Sequence, residues 1–432
     1  MDNYELEITN DELNVPQIRF KGFSDAWEKK ALGECLILLK DGTHGTHFDV
    51  LEGPFLLSAK NIKNGRLIID NEIERKISIE DYNSIHSTYS LKEDDVLMTI
   101  VGTIGECTKI DNPTGFTFQR SVAILRPNNN FKSDYLIALI NTSTFQKKLK
   151  SGQSVSAQPG IYLGDLSTIS NNISDSLPEQ TAIGSFFKTL DSRIEAQGKK
   201  IEKLNSMKKA LLAKMFPSNN YELGITNYEL NKPVIRFKGF SEAWEEKELG
   251  DCLLVQRGGS PRPIEEYMTN DENGINWIKI GDVSTDSRYI TKTQEKIKPE
   301  GEKHSRKVFV GDLILSNSMS FGRPYIMQIE GCIHDGWLLL RDEKKAFNLE
   351  YLLQLLSSDL MLDQYKALAS GGVVNNLNSQ LVQSTSLIFP NHSEQEKIGS
   401  FFKKIDELIG LSNKELEQLK NIKSALLEKM FV

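Results

Sequence analysis

The sequence predicts a mixed α/β protein built as a tandem repeat, in which each repeat joins a globular domain to one long helix. Two observations support this fold class. A segment that begins at Tyr4 recurs from Tyr221, with RFKGF, a tryptophan and LG at the same spacing. Two apolar heptad patterns, over 178–216 and 393–432, also match each other in sequence. A chain of 432 residues has room for about two to four domains.

The stretch 178–216 predicts one helix about 55–60 Å long. Pro178 suits a first helical turn, and Glu179 favours a helix N-terminus because the helix dipole is positive there. Apolar residues follow at alternating steps of four and three, which is typical of a heptad seam. The seam positions are Ile183, Phe187, Leu190, Ile194, Ile201, Leu204, Leu211 and Met215. So narrow a seam on so long a helix requires a partner helix.

The stretch 393–432 supplies that partner, because it repeats the first helix in length and pattern. The polar residues that interrupt the first seam, Gln197 and Lys208, recur as Ser412 and Lys423. The second seam comprises Ile398, Phe402, Ile405, Ile409, Leu416, Leu419, Leu426 and Met430. Sequence identity extends beyond the apolar positions, so we expect the helices to pair with each other. The alternative is two unrelated amphipathic helices, each packed on its own domain.

The repeat divides the chain into six segments. They are an acidic N-terminal extension 1–16, expected to be flexible, a globular domain 17–177, a helix 178–216, a linker 217–232, a second globular domain 233–392 and a helix 393–432. The interiors 37–177 and 254–392 share little sequence beyond framing positions. Each is predicted to contain short strands (96–110, 121–127, 308–316 and 336–342), one helix (135–150 and 351–370) and a polar loop (151–161 and 370–380). Similar frames with divergent interiors indicate one scaffold that carries two different surfaces.

Composition restricts the class of protein. Hydrophobic residues make up 39% and charged residues 26%, which is ordinary for a globular domain. No apolar run reaches the length of a membrane span and the first residues are acidic, so we expect a cytoplasmic protein without a membrane partner. The 4 cysteines form no CxxC motif and are expected to be reduced. A net charge of −7 neither supports nor excludes a nucleic-acid partner, since basic residues can gather on one face.

The order of these segments resembles the specificity (S) subunit of type I restriction-modification systems. The resemblance covers nearly the whole chain apart from the acidic leader 1–16 and its echo 219–232. It rests on the repeated RFKGF, Trp and LG frame, the variable interiors and the two helices. Supporting motifs are DGTHGTH at 41–47, RGGSPRP at 257–263, WIKIGDVS at 277–284 and SMSFGRPYI at 318–326.

The resemblance implies two target-recognition domains, each reading one half of a split DNA site, and two helices that form an antiparallel coiled coil. The implied partners are double-stranded DNA, two methyltransferase (M) subunits and, through them, restriction (R) subunits. S-adenosylmethionine, ATP and Mg²⁺ are expected on the partners, with no cofactor in this chain. A duplex returns the same groove about every 34 Å, so a rigid coil would set the spacing of two dissimilar half-sites.

Polar residues in glycine-punctuated loops are the candidates for DNA contact, through base edges or phosphates. In the first domain they are Lys40, Thr43, His44, Thr46, His47, Lys60, Asn61, Gln119 and Arg120. In the second domain they are Gln256, Arg257, Ser260, Arg262, Lys279, Arg323 and His334. Solvated turns, surface salt bridges and structural caps are the alternatives. A metal site of His44, His47 and Asp49 is a further reading, although no additional Cys or His lies nearby to complete it.

Catalysis has no support in the sequence, so we expect no catalytic residue and no enzyme activity in this chain alone. An adenine methyltransferase requires an Asn/Asp-Pro-Pro-aromatic loop, and an ATP-driven motor requires GxxxxGK[ST]; neither occurs. Two other functions stay open. One is a stand-alone sequence-specific DNA-binding regulator of the same fold, and the other is a fused protein with its own methyl-transfer activity.

Overall fold

The computed structural model describes residues 5–9, 14–153, 159–217, 232–283, 287–317, 322–369 and 377–432. Within it the chain forms two compact units. Unit 1 comprises Met1–Gly198 and Glu415–Val432, and unit 2 comprises Lys199–Lys414. Each unit therefore contains one globular domain, the first half of one long helix and the second half of the other.

Unit 1 is a mixture of short strands and helices. Its strands are β1 Leu6–Ile8, β2 Ile18–Phe20, β3 Glu28–Ala31, β4 Leu36–Asp41, β5 Phe55–Leu57, β6 Ile62–Lys63, β7 Arg66–Leu67, β8 Val96–Thr99, β9 Cys107–Lys109, β10 Phe116–Phe118, β11 Val122–Pro127 and β12 Ser170–Ile173. Its helices are α1 Ile79–Ile85, α2 Ser133–Ile140, α3 Ser143–Ser151, α4 Leu163–Thr168 and the start of the long helix α5 Leu177–Met215.

A four-stranded antiparallel sheet, in the order β4-β11-β8-β9, divides the core of unit 1 in two. Side chains alternate between the faces of a strand. Ala123 and Leu125 of β11 accordingly pack in the core that also contains α2, α3 and α5. Val122 and Ile124 face a second core with the parallel pair β5 and β10. The sheet is thus covered on both faces by its own domain.

Unit 2 repeats this plan with an equal number of described strands. These are β13 Glu245–Glu248, β14 Leu254–Arg257, β15 Met268–Thr269, β16 Ile275–Ile278, β17 Tyr289–Ile290, β18 Glu295–Ile297, β19 Arg306–Val308, β20 Leu313–Ser316, β21 Pro324–Met327, β22 Gly331–Ile333, β23 Trp337–Arg341 and β24 Ser386–Phe389. Its helices are α6 Leu249–Cys252, α7 Ile264–Tyr267, α8 Leu349–Leu356, α9 Asp359–Ala369, α10 Ser379–Gln383 and the start of the long helix α11 His392–Lys429.

The two units share a topology although their interiors share little sequence. The sheet β14-β23-β20-β21-β17 of unit 2 places β23 between β14 and β20, as β11 lies between β4 and β8 in unit 1. The parallel pair β16 and β22 corresponds to the pair β5 and β10. Residues of β23 also alternate between two cores, with Leu338 and Leu340 in one and Trp337 and Leu339 in the other. The prediction of two mixed α/β domains in tandem is confirmed.

Local predictions were wrong in four stretches of the interiors and in the acidic leader. The stretch 308–316 is not one strand, because the chain turns at Gly311, which has positive φ, between the end of β19 and the start of β20. The stretch 96–110 is the hairpin of β8 and β9, because Gly102 and Gly105 adopt positive φ and turn the chain. The stretches 135–150 and 351–370 each contain two helices, since Thr142 and Ser358 interrupt them with hydrogen bonds from their side chains to nearby backbone. The acidic leader is not a free extension at residues 6–8, which pair with β2.

The repeated RFKGF and Trp motif is explained by a buried ion pair with the long helix. Glu179, the third residue of α5, is 0% exposed and accepts hydrogen bonds from Arg19 Nε at 2.6 Å and Arg19 Nη2 at 2.9 Å. Trp27 Nε1 donates to the same carboxylate at 3.2 Å, and Ser174 Oγ donates at 2.5 Å. We call this set the helix-start bracket.

The arginine–glutamate pair of the helix-start bracket recurs in unit 2. Arg236 Nε and Nη2 both donate to the Glu394 carboxylate at 2.7 Å, and Glu394 is the third residue of α11. This contact raises the pKa of Arg236. An aspartate at a corresponding position of each interior, Asp95 or Asp312, forms a second shared ion pair. Arg126 binds Asp95 at 2.6 and 2.7 Å in unit 1, and Arg341 binds Asp312 at 2.8 and 2.6 Å in unit 2.

Within each unit the two long helices run antiparallel. In unit 1, Asp191 of α5 pairs with Lys423 of α11 at 2.5 Å, and Gln197 Nε2 donates to Glu415 at 2.8 Å. Residue numbers along α11 therefore decrease as those along α5 increase, which is the antiparallel direction. In unit 2, Lys208 of α5 pairs with Asp406 of α11 at 2.5 Å. The predicted seam residues are all buried or half-buried, as are the polar positions Gln197, Lys208, Ser412 and Lys423.

We predict that Arg19→Met destabilises unit 1 by about 3–5 kcal/mol, because it leaves the Glu179 carboxylate buried without a counter-ion. Urea unfolding curves of the purified chain measure the change. Lys21→Met is the matched control, since Lys21 and its partner Glu5 are both largely exposed and should contribute little. Equal effects of the two substitutions would contradict the assigned role of the bracket.

We predict a pH-dependent contribution from Lys208 in unit 2. Burial, with the nearby Arg288, lowers the pKa of Lys208 to about 8 despite its contact with Asp406. Below that pH the amine is charged in both the folded and unfolded states. At higher pH the folded state loses the proton first, so stability rises until the unfolded state also titrates near the ordinary value of 10.5.

From pH 7 to pH 9.5, the free energy of unfolding of the wild-type protein should therefore rise by about 2 kcal/mol relative to Lys208→Met. Tryptophan fluorescence during urea unfolding is a suitable measurement, since Trp244, Trp277 and Trp337 all lie in unit 2. A constant difference between the two proteins across this pH range is the result that contradicts the assignment.

Candidate nucleic-acid interface

In unit 1 the loop after β4 crosses the turn between β10 and β11, which gathers four of the predicted residues. Thr43 forms a bridge with Gln119, its N–H donates to Phe118 O at 2.8 Å, and Arg120 N donates to Thr43 O at 3.0 Å. Gly42 permits this crossing, because a Cβ there would lie 2.1 Å from Phe118 O. Thr43, His44, Gln119 and Arg120 form what we call cluster 1; the side chains of His44 and Arg120 are exposed.

The cluster 1 loop is held by its own side chains. His44 Nε2 lies 2.5 Å from Asp41 Oδ2, and Thr43 Oγ1 accepts a hydrogen bond from Gly45 N at 3.1 Å. His47 folds back instead of reaching outward. Its Nε2 lies 2.9 Å from Thr43 Oγ1 and its Nδ1 lies 3.2 Å from Asp81.

In unit 2 the loop after β14 crosses the turn between β22 and β23 in the same way. Gly258 N donates to Trp337 O at 2.8 Å, and a Cβ on Gly258 would lie 2.1 Å from His334 O. The crossing places three residues around the carboxylate of Asp335 and a fourth, Arg257, at its backbone carbonyl. Arg257, Ser260, Arg262, His334 and Asp335 form what we call cluster 2.

Asp335 organises cluster 2. Ser260 Oγ donates to its carboxylate at 2.9 Å, His334 Nε2 lies 2.9 Å from it, and the Arg262 guanidinium lies at 3.8 Å. Arg257 Nε donates to its backbone carbonyl at 3.2 Å. Burial alone would raise the pKa of Asp335, but the Ser260 hydrogen bond and the positive neighbours outweigh it and lower the pKa. The cluster therefore presents two exposed arginines beside an ionised acid.

The remaining predicted residues lie on supporting elements. Lys60 is exposed and pairs with Glu74 at 2.9 Å, and Thr46 is exposed in the cluster 1 loop. Lys40 Nζ lies 5.1 Å from the centre of the Tyr89 ring, and Lys279 pairs with Glu295 at 2.5 Å. The half-buried residues Gln256 and Arg323 lie on β14 and just before β21, the latter with its guanidinium 5.4 Å from the Tyr325 ring.

Two predicted contacts require correction. Asn61 is 2% exposed, caps the turn after β5 through Ser58 N at 3.0 Å, and donates to Glu74 at 2.7 Å. The His47 side chain is 10% exposed and both of its ring nitrogens face partners in unit 1. Neither side chain is free to reach a base, so we assign both to the support of cluster 1.

His44, His47 and Asp49 are not arranged as a metal site, because each side chain has a different partner. His44 pairs with Asp41, His47 with Thr43 and Asp81, and Asp49 accepts from Arg75 Nε at 2.6 Å. Within the described ranges, no group of three or more His, Cys, Asp and Glu residues could hold a metal ion. All four cysteines are buried, and none of them forms a disulfide.

Sequence reasoning missed Asp335, a member of cluster 2, and Asp41, which pairs with His44 of cluster 1. The sequence repeat could have identified Asp335, because its position corresponds to that of Arg120 in the first repeat.

Among the helices that the structure describes, none has both the length and the apolar composition needed to cross a bilayer.

Comparison with known proteins gives consistent results. The family described as type I restriction modification DNA specificity domain matches residues 47–206 and 241–421. The chain is 30% identical over 199 residues to the putative type I restriction enzyme MjaX specificity subunit of Methanocaldococcus jannaschii, covering 44% of this chain and 46% of that protein. It is 23% identical over 265 residues to the MjaVIII specificity subunit of that organism, covering 58% and 59%. The chain thus spans about half the length of these curated relatives.

Solved structures share the fold. A crystal structure of the type I restriction-modification S subunit from M. genitalium has a TM-score of 0.62 at 15% identity, covering 97% of this chain and 99% of that one. A chain from a study of complex assembly and conformational transition of the type I system has a TM-score of 0.56 at 15% identity, covering 94% and 97%. The matched family segments fall once in each half of the sequence and include most of the chain. The chain therefore belongs to the family of type I restriction modification DNA specificity domains.

Proposed function

We propose that the chain is the DNA sequence-specificity subunit of a type I restriction-modification complex and binds an asymmetric, two-part DNA target. The main support is the pair of clusters. Cluster 1 and cluster 2 occupy the same place in the topology, between the ends of corresponding strands, yet their side chains differ. One scaffold with two polar surfaces of different chemistry suits the reading of two different half-sites.

The residues of the clusters match the chemistry of base edges. Arginine donates two hydrogen bonds to guanine O6 and N7, and an aspartate accepts from cytosine N4. Arg257, Arg262 and Asp335 provide both types of group in cluster 2. Cluster 1 offers Arg120 with the smaller groups of Thr43 and His44, and the exposed Lys60 is suited to a phosphate. We therefore expect the two half-sites to differ in base composition.

The chemistry of the complex belongs to other subunits in this proposal. The chain docks two methyltransferase subunits and, through them, restriction subunits. S-adenosylmethionine, ATP and Mg²⁺ bind to those partners, and a methyltransferase subunit flips the target adenine while this chain holds the site. The relatives with matching sequence carry the name of specificity subunits of restriction enzymes, which favours this role over that of a stand-alone regulator.

Arg257→Ala should weaken binding and relax base preference in the half-site read by unit 2 alone, by about 1–3 kcal/mol per lost bidentate contact. Arg120→Ala should do the same for the other half-site. Binding competition with randomised duplexes measures both effects at a fixed salt concentration.

Lys247→Ala is the control for both variants. Lys247 is an exposed cation of unit 2 that pairs with Glu245 on β13, in a two-stranded sheet separate from cluster 2. A loss of base preference in Lys247→Ala, or an unchanged preference in Arg257→Ala and Arg120→Ala, would argue against DNA reading by the clusters.

Exchange of residues 37–177 for the interior of another specificity subunit should change one half-site and leave the other intact. Methylation-sensitive sequencing of host DNA reads out both halves and their spacing together. A change in both halves contradicts the modular reading. Sequence-specific binding without any split methylated motif, and without a co-purifying methyltransferase, would instead favour the regulator.

A further inference from the structure

The segment between His47 and Gly53, which we call the apolar loop, exposes two large apolar side chains. Phe48 is 82% exposed and Leu51 is 95% exposed. Burial of such a side chain stabilises a protein, so unit 1 forgoes that stabilisation at both positions. Isolated exposed apolar residues are common at protein surfaces, and the case here depends on how the loop is held and where it lies.

The apolar loop is held by hydrogen bonds and close packing on both sides of each exposed side chain. Arg75 Nη2 donates to His47 O at 2.9 Å, and Arg75 Nε donates to Asp49 at 2.6 Å. Val50 N donates to Lys76 O at 3.0 Å. At the far end Gly53 lies so close to the segment before α1 that a Cβ would be 2.1 Å from Ile77 O. Phe48 and Leu51 are therefore presented outward by a braced segment.

The apolar loop is continuous with cluster 1. His47, which starts the loop, is the residue whose ring returns to Thr43 of that cluster. Consecutive Cα atoms are 3.8 Å apart, so the Cα atom of Phe48 lies within about 15 Å of that of His44. A ligand that covers cluster 1 is therefore within reach of Phe48.

We propose that Phe48 and Leu51 act as a wedge that inserts against a base step of the DNA half-site read by unit 1. This inference rests on the proposed function. Apolar side chains placed between base steps unstack them partly and bend the duplex. Arg75 neutralises Asp49, whereas Glu52 is an exposed acid at the tip that disfavours phosphate contact. The loop is therefore suited to bases and not to the sugar-phosphate backbone.

The wedge gives unit 1 a form of specificity that does not need base-edge contacts. Pyrimidine–purine steps such as TA and CA unstack most easily, so the half-site should favour such a step at the inserted position. Unit 2 has a different segment after its crossing loop, where the tip residue is the exposed Arg262. Apart from the flipping of a target adenine by a methyltransferase subunit, we expect unstacking in the unit 1 half-site only.

The test uses the full-length chain together with any subunits that co-purify, and a duplex carrying the split motif found by methylation sequencing. Single adenines in each half-site, other than the target adenine that a methyltransferase subunit flips, are replaced by 2-aminopurine, whose fluorescence rises when it is unstacked. Binding of the wild-type protein should raise fluorescence at one step of the unit 1 half-site. Phe48→Ala and Leu51→Ala should abolish that rise and weaken binding about tenfold, as expected for loss of one base-stacking contact.

Ile37→Ala is the matched control, because Ile37 is 66% exposed and lies at the opposite end of β4 from the crossing loop. It should retain both the fluorescence rise and the affinity. Specific binding with no rise at any position, or a rise that survives in Phe48→Ala and Leu51→Ala, overturns the wedge while leaving the proposed function intact. Loss of a co-purifying subunit in these variants, with the rise retained, assigns the loop to a protein contact and also overturns it. Failure to prefer any split sequence rejects the proposed function itself.

Discussion

A carboxylate buried at the start of each long helix is the constraint on which the rest of the structure depends. Glu179 and Glu394 lie where the helix dipole favours a negative charge, but a fully buried carboxylate also needs a counter-ion. The arginines of the two RFKGF segments provide it with two hydrogen bonds each. Each domain is thereby fixed to its own long helix, so RFKGF must accompany the helix in every copy of the repeat.

This frame also explains why the interiors can differ. In both units the crossing loops are positioned by backbone hydrogen bonds and by one glycine, Gly42 or Gly258, that leaves no space for a side chain. Neither interaction depends on the identity of the exposed residues beside it. Cluster 1 and cluster 2 can therefore change their side chains without loss of the turn geometry. The exposed residues that differ between the two units are therefore not the residues that fix the backbone of the crossing loops.

The sequence allowed prediction of the features that repeat. Heptad spacing identified both long helices to within one residue at their N-terminal ends, and the repeat offset correctly aligned the two crossing turns. It did not allow prediction of contacts between distant segments. The roles of Arg19 with Glu179, of Asn61 as a cap and of His47 as a brace all depend on partners that only the fold brings near. The apolar loop was missed for a similar reason, since Phe48 and Leu51 resemble core residues until Arg75 is seen to hold them outward.

The polar residues of the seam favour one direction of helix pairing. In a parallel arrangement in register, each residue of α5 would face its repeat equivalent, so Lys208 would meet Lys423 and Asp191 would meet Asp406. Like charges would then face each other at the buried seam position of Lys208 and beside the seam at Asp191, which is unfavourable. In the antiparallel arrangement found within each unit, Asp191 meets Lys423 and Lys208 meets Asp406. Both helices carry an aspartate and a lysine at the same spacing, so the parallel arrangement is disfavoured at two positions. These polar residues therefore specify the direction of helix pairing as well as its register.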